Sequence, residues 1–368
     1  MILSIDKHNS EKFETISISH ENNFDLIRLF AAVQVAISHG AAHLNVKLPA
    51  IFDVIGFFPG VPVFFTVSGF LIGNSYYRNQ NLKRYSINRA LRIFPGLWTC
   101  FIFTTILLLS FGILKLESFG NIEFWKWFFA QITIFQFYTP DILRGWGTGT
   151  PNGSLWTIPI EIQFYILLPL IVMLIIRSKT IRIVTIALIV LVALFSNYFY
   201  STIDQETIFA KLFHVSIFPF LMYFMFGFFL YLLWPKIKVF IVNKGLIWLA
   251  IYSLYIFIFY YLTKSFSLSY YPDVLGWISY LILSIMTLSL SFSYQFAAKK
   301  LLKGNDISYG IYIYHMVIIN AILELNIREY SLLIAMSIIF LLAYLSWKFV
   351  EKPFLGLKNR FIINPIHT

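Results

Sequence analysis

The chain has a single cysteine, Cys100, among its 368 residues. That excludes an intramolecular disulfide and a thiolate-held metal cluster. Set among apolar neighbours, Cys100 reads as an inert core thiol. Charge is scarce too: 12% of residues are Asp, Glu, Lys or Arg. No polar stretch exceeds about forty residues, which leaves no room for a soluble catalytic domain. HExxH, CxxC, P-loop and GxGxxG patterns are absent, so the sequence supplies no metal-ligand spacing and no nucleotide fingerprint. Residues 1–23 lack an apolar core and a small-residue cleavage site, and read as a polar tail rather than a cleavable leader.

What remains is apolar: 59% hydrophobic and 19% aromatic residues. Several runs reach the roughly twenty residues a helix needs to cross the hydrocarbon core. The fold class expected is an all-α polytopic membrane helix bundle. Its ten spans fall near 24–44, 55–77, 93–114, 154–176, 183–200, 212–234, 245–263, 274–296, 307–325 and 331–350. The net charge of +11 does not call for nucleic acid. With the N-terminus inside, 21 of the 28 basic residues fall on inner segments, leaving Lys47, Lys115, Lys126, Arg144, Lys211, Lys264 and Arg328 outside. Basic residues concentrate in cytoplasmic loops, so both termini are expected in the cytoplasm. Residues 24–354 form the membrane domain, between a tail at 1–23 and another at 355–368.

The first span, Phe24 to Leu44, carries Asp25, Arg28 and His39. Arg28 and His39 are almost three helical turns apart, on nearly one face and about 16 Å along the axis. Ionisable groups inside a bilayer are costly and mark functional sites. The bland alternatives are a snorkelling arginine and a satisfied core histidine. In the second span, Ser68 and Gly69 read either as a packing notch or as an opening for a ligand. The basic loop that follows holds Arg84, Arg89 and Arg92. Arginines grip phosphate groups bidentately, which makes a phosphate-bearing ligand an alternative to topology alone. Trp156 begins the fourth span and Glu161 lies roughly 10 Å down it, at a depth His39 can share. In the ninth span Tyr309, Tyr312 and His315 fall on one stripe. His214, near the outer end of the sixth span, and Glu324, near the outer end of the ninth, are given no role.

Taken together, these segments resemble the acyltransferase-3 family of membrane proteins, which O-acylate bacterial surface sugars. FDLIRLFAAVQVAISH is similar to its first-helix signature, FFTVSGFLI with NRALRIFP to its second motif and arginine loop, SLWTIPIEIQFYILLP to its Trp–Ser–Leu segment, and ISYGIYIYHMVI and FVEKPF to its closing motifs. The resemblance spans about residues 24–354 and departs from the family pattern at Leu26–Ile27, Leu29, Thr157 and Met316. It implies a multi-pass protein of the bacterial inner membrane. The donor it implies is cytoplasmic acetyl-CoA or another acyl-CoA, held by Arg84, Arg89 and Arg92. The acceptor it implies is a hydroxyl of an envelope carbohydrate such as O-antigen, capsule or exopolysaccharide, free or lipid-linked. His39 is the implied catalytic base, with Arg28 stabilising an oxyanion or orienting the coenzyme and Glu161 orienting His39. Asp25, Ser68, Trp156, Tyr309, Tyr312 and His315 are further cavity candidates. No metal is implied. A proton-coupled transporter or glycan flippase is the rival reading, since embedded His, Glu and Arg suit it equally.

Overall fold

The computed structural model describes residues 22–263, 274–294 and 296–358. Most of the two tails expected from the sequence, 1–21 and 359–368, and Lys264 lie outside them. The described residues form helices α1 (Phe24–His43), α2 (Ile51–Gly56), α3 (Gly60–Arg78), α4 (Leu82–Ser110) and α5 (Ile122–Ile132). They continue with α6 (Thr157–Ile175), α7 (Lys179–Thr202), α8 (Ile208–His214), α9 (Leu221–Ile241) and α10 (Gly245–Thr263). Helices α11 (Val274–Ser291), α12 (Ala297–Leu302), α13 (Ser308–Glu324) and α14 (Ser331–Ser346) follow, then a π-helical turn (Trp347–Glu351) and α15 (Lys352–Gly356).

Eight segments among the described residues are long and apolar enough to cross a membrane. The two other expected spans are the shorter helices α11 and α13, the second 17 residues long and buried along most of its length. Position in the bundle decides burial. Central α9 is largely buried, whereas peripheral α10 is mostly exposed. The exposed Leu254 and Phe257 of α10, with Leu188 and Phe195 of α7, form an apolar outer surface suited to lipid.

Close packing depends on small residues where lipid supplies no hydrophobic drive. A Cβ added at Gly69 would lie 2.0 Å from the Phe224 carbonyl oxygen, and one at Gly227 would lie 2.0 Å from that of Thr66. These reciprocal glycines seat α3 directly on α9. Gly69 is therefore a packing notch, while its neighbour Ser68 points elsewhere, as described below. Asn23 fastens the start of α1 by donating to the Ser293 and Tyr294 carbonyls and accepting from Ala298 N.

Three boundaries differ from those expected. Pro59 separates α2 from α3, so the second span is two helices. The arginine loop is helical: Asn81 caps α4 by accepting from Arg84 N at 2.8 Å, and neither Pro nor Gly intervenes before Pro95. At 29 residues, about 43 Å, α4 is longer than the ~30 Å core, so its basic first turns project beyond it. The expected sixth span starts late, leaving His214 on the separate α8.

Candidate active site

Arg28, one turn into α1, and Arg92, on the extended part of α4, converge on one carboxylate. Asp306 Oδ2 accepts from Arg92 at 2.5 Å and from Arg28 at 2.9 Å. Asp306 stands just before α13, where its other oxygen accepts from the Ser308 hydroxyl at 2.5 Å. Burial opposes its charge, but Arg92 and then Arg28 outweigh burial and hold the carboxyl well below the usual carboxylate range. Asp25 pairs with Arg28 at 3.0 Å. Behind Arg92 lies Glu351 in the π-helical turn, 2% exposed, accepting from Ser346 Oγ at 2.9 Å. Turns of this kind recur at functional sites.

These arginines border a cavity between α1, α3, α4, α6 and α13. Its polar lining includes Arg28, Ser68, Arg89, Arg92, Glu161 and Tyr309. Phe64, Phe65, Leu71 and Ile72 supply an apolar wall, and Thr157 and Tyr312 also face it. Within it Glu161 accepts from Ser68 Oγ at 3.2 Å and from the Tyr165 hydroxyl. Arg89 lies 5.7 Å over the Tyr165 ring, and its buried Nε has no hydrogen-bond partner. Tyr309 reaches the Ile93 carbonyl at 2.9 Å. Lys358, past α15, is close enough to Arg89 and Arg92 to feel their charge. Burial first, then those two guanidiniums, bring its ammonium down to about 8.

His39 and His315 do not line that cavity; they form a separate pair of imidazoles, joined to it through Tyr312, which does. His39 Nδ1 lies 2.9 Å from His315 Nε2, and His315 Nδ1 lies 2.7 Å from the Tyr312 carbonyl oxygen. His315 is fully buried; His39 is partly exposed. The Tyr312 hydroxyl in turn contacts Thr157 Oγ1 at 2.8 Å and donates to the Ser154 carbonyl at 3.1 Å. Asn320, with 0% exposure, donates to the Thr150 and Pro151 carbonyls, and Asn152 donates to that of Ile313. The Gly-rich connection before α6 is thereby fastened over the histidine end of α13. Glu324 joins this fastening by accepting from Gly147 N at 2.8 Å.

The structure gathers some sequence candidates and separates others. Arg28, Ser68, Arg89, Arg92, Glu161, Tyr309 and Tyr312 share the cavity. His39 meets His315, not Glu161, which corrects the orienting role expected of Glu161. The reason is helix neighbourhood: α1 packs on α3, α13 and α14, whereas α6 packs on α3, α4 and α7. Arg84 stays on the exposed side of α4, and Trp156 stacks on His214 and Phe220 at 4.8 and 5.3 Å; neither lines the cavity. Asp25 acts through Arg28. Asp306 and Glu351 are not among the site candidates the sequence offers, although Glu351 falls within the closing motif FVEKPF. Their signal was a carboxylate at the edge of an apolar segment, at the same end as the arginines.

An embedded imidazole pair, an arginine-rimmed cavity and the motif order form one pattern. A family model described as an acyltransferase domain matches residues 21–350. The chain belongs to the acyltransferase-3 family. It is a multi-pass membrane O-acyltransferase. Nodulation protein 10 of Rhizobium leguminosarum bv. viciae is 29% identical over 360 residues, 94% of this chain and 96% of that protein. The O-acetyl transferase of Shigella phage Sf6 is 29% identical over 356 residues, 91% and 97% of the two chains. The peptidoglycan O-acetyltransferase OatA of Listeria monocytogenes is 28% identical over 153 residues, 40% of this acyltransferase and 23% of OatA. No solved structure matches the chain.

Proposed function

We propose that this acyltransferase moves an acetyl group from acetyl-CoA to a hydroxyl of an envelope glycan, across a bacterial inner membrane. The arginine end faces the cytoplasm, as the basic-residue bias expects. Arg89, Arg92 and Lys358 take the coenzyme's phosphates, and the acyl-bearing arm follows the apolar wall toward Tyr312. The observation that carries the donor assignment is Arg89. A cavity-lining guanidinium with a buried, unpartnered Nε is a donor awaiting an anion. The glycan acceptor is supported by a relative named for peptidoglycan O-acetylation.

At the histidine end, His39 removes the acceptor's hydroxyl proton as the oxygen bonds to the acyl carbon. The thioester C–S bond breaks, sulfur leaves with the electron pair, and the thiolate collects the proton that His39 releases. An alcohol needs such a base in the transition state, worth about 10²–10⁴ in rate. Arg28, held by Asp25 and Asp306, orients the donor.

The test uses purified protein in nanodiscs with labelled acetyl-CoA and extracted surface polysaccharide. His39→Ala is expected to lose transfer while keeping donor affinity. Arg89→Ala is expected to weaken acetyl-CoA binding by about tenfold or more, the worth of a charge-assisted hydrogen bond, while Arg84→Ala leaves it unchanged. Full transfer by His39→Ala, or parent affinity in Arg89→Ala, overturns the corresponding role.

A further inference from the structure

Three atoms in line decide which nitrogen of His39 is free. A carbonyl oxygen only accepts hydrogen bonds, so the proton between Tyr312 O and His315 Nδ1, 2.7 Å apart, belongs to His315. His315 is fully buried, and its partners are the backbone carbonyls of Tyr312 and Ile311 and the His39 ring. A second proton on it would create an imidazolium with no carboxylate bonded to it in a dry interior, a costly state. The neutral ring therefore carries its proton on Nδ1 and presents a lone pair on Nε2. That lone pair faces His39 Nδ1 at 2.9 Å, so His39 donates from Nδ1. Its Nε2 is left bare.

We infer that His315 is a positioning residue: it holds His39 in the single tautomer whose Nε2 can act as base, through two hydrogen bonds anchored on the Tyr312 carbonyl. The inference rests on the proposed role of His39. The anchor is stiff, because the Tyr312 side chain is itself held by Ser154 and Thr157. The rings lie 5.1 Å apart, tilted by 36°, so the same bond also sets the His39 ring plane. An orienting partner that selects a tautomer is the third-member function of a catalytic triad, here supplied by a neutral ring. When His39 accepts the hydroxyl proton on Nε2, its Nδ1–H remains bonded to His315 and the imidazolium keeps one partner. His43, one turn further along α1, faces the His39 ring at 6.1 Å and takes no part in this line.

The decisive variant is His315→Gln. Its amide nitrogen can donate to the Tyr312 carbonyl and its amide oxygen can accept from His39, the same pattern without a titrating ring. His315→Ala removes the acceptor. For the full chain in nanodiscs, His315→Ala is expected to lower kcat by about 10²-fold or more with the acetyl-CoA KM unchanged, and His315→Gln to recover to within about tenfold of the parent. Nitrogen NMR of histidine-labelled parent protein is expected to show His39 protonated on Nδ1, as is His315→Gln, whereas His315→Ala shows mixed tautomers. Parent His39 protonated on Nε2 overturns the inference without any variant. So does parent kcat in His315→Ala, or a His315→Gln that binds donor but is as slow as His315→Ala. If His39→Ala is inactive while His315→Ala is fully active, only this inference falls. Full activity in His39→Ala removes the base assignment beneath it.

Discussion

Arg28 and Arg92, from helices far apart in the chain, meet on one oxygen atom, Oδ2 of Asp306. A single carboxylate thus ties α1, α4 and the start of α13 together beneath the cavity. Asp25 adds a second negative charge from the arginine's own helix. The cluster does two jobs at once. It makes two partly buried guanidiniums tolerable in the protein, and it leaves their remaining N–H groups directed by fixed partners. Arg89 sits apart from it, stacked on Tyr165 and unbonded at Nε.

Asp306→Asn should therefore be costly. Removing one partner of a buried pair leaves uncompensated charge, a loss of about 3 kcal/mol or more. The thermal midpoint in detergent should drop, and transfer activity should fall with it. An unchanged midpoint would show that Asp306 carries no structural load. The linkage sign follows from the depressed carboxyl. A folded-state value below the unfolded one contributes stability that is present above roughly pH 4, the unfolded carboxylate value, and is lost as pH falls below it. Acid unfolding should begin at higher pH in any variant lacking Arg92.

Depth along a helix was legible in the sequence, and neighbourhood was not. His39 and Arg28 stand out because charge in an apolar run is conspicuous, and their three-turn separation follows from helix geometry alone. The same geometry gave Glu161 a plausible depth, yet its partners are Ser68 and Tyr165, because helix order in the bundle places α6 against α3 and α4. His39 and His315 are 276 residues apart, and nothing local says that α1 packs on α13. Arg89 and Arg92, which the family resemblance groups at the donor, do share a cavity, whereas Arg84 does not line it. Asp306 and Glu351 escaped because a carboxylate at a span edge looks solvated until the fold buries it.

Gly69 offers a test of packing free of catalytic chemistry. An added Cβ would sit 2.0 Å from the Phe224 carbonyl oxygen, backbone that cannot step aside cheaply. Gly69→Ala should destabilise by about 1–3 kcal/mol through overpacking, forcing α3 off α9. Gly56, with nothing within 4 Å of its would-be Cβ, is the matched control. Equal midpoints for the two alanine variants would contradict the close α3–α9 contact.

Lys358 supplies the pH dependence of donor capture. Burial, with Arg89 and Arg92 nearby, brings its ammonium down to about 8, so its charge is lost as pH rises through that value. If it grips a coenzyme phosphate, affinity for acetyl-CoA should fall across roughly pH 7 to 9, a range in which an ordinary lysine near 10.4 stays charged. Lys358→Met should bind more weakly at the lower end of that range and lose most of the slope. Binding isotherms for the two proteins at matched ionic strength check this, since salt screens phosphate contacts. Superimposable slopes would place Lys358 outside the donor site, whereas a flattened one ties the cation cluster of α4 and the segment after α15 to a single anionic ligand.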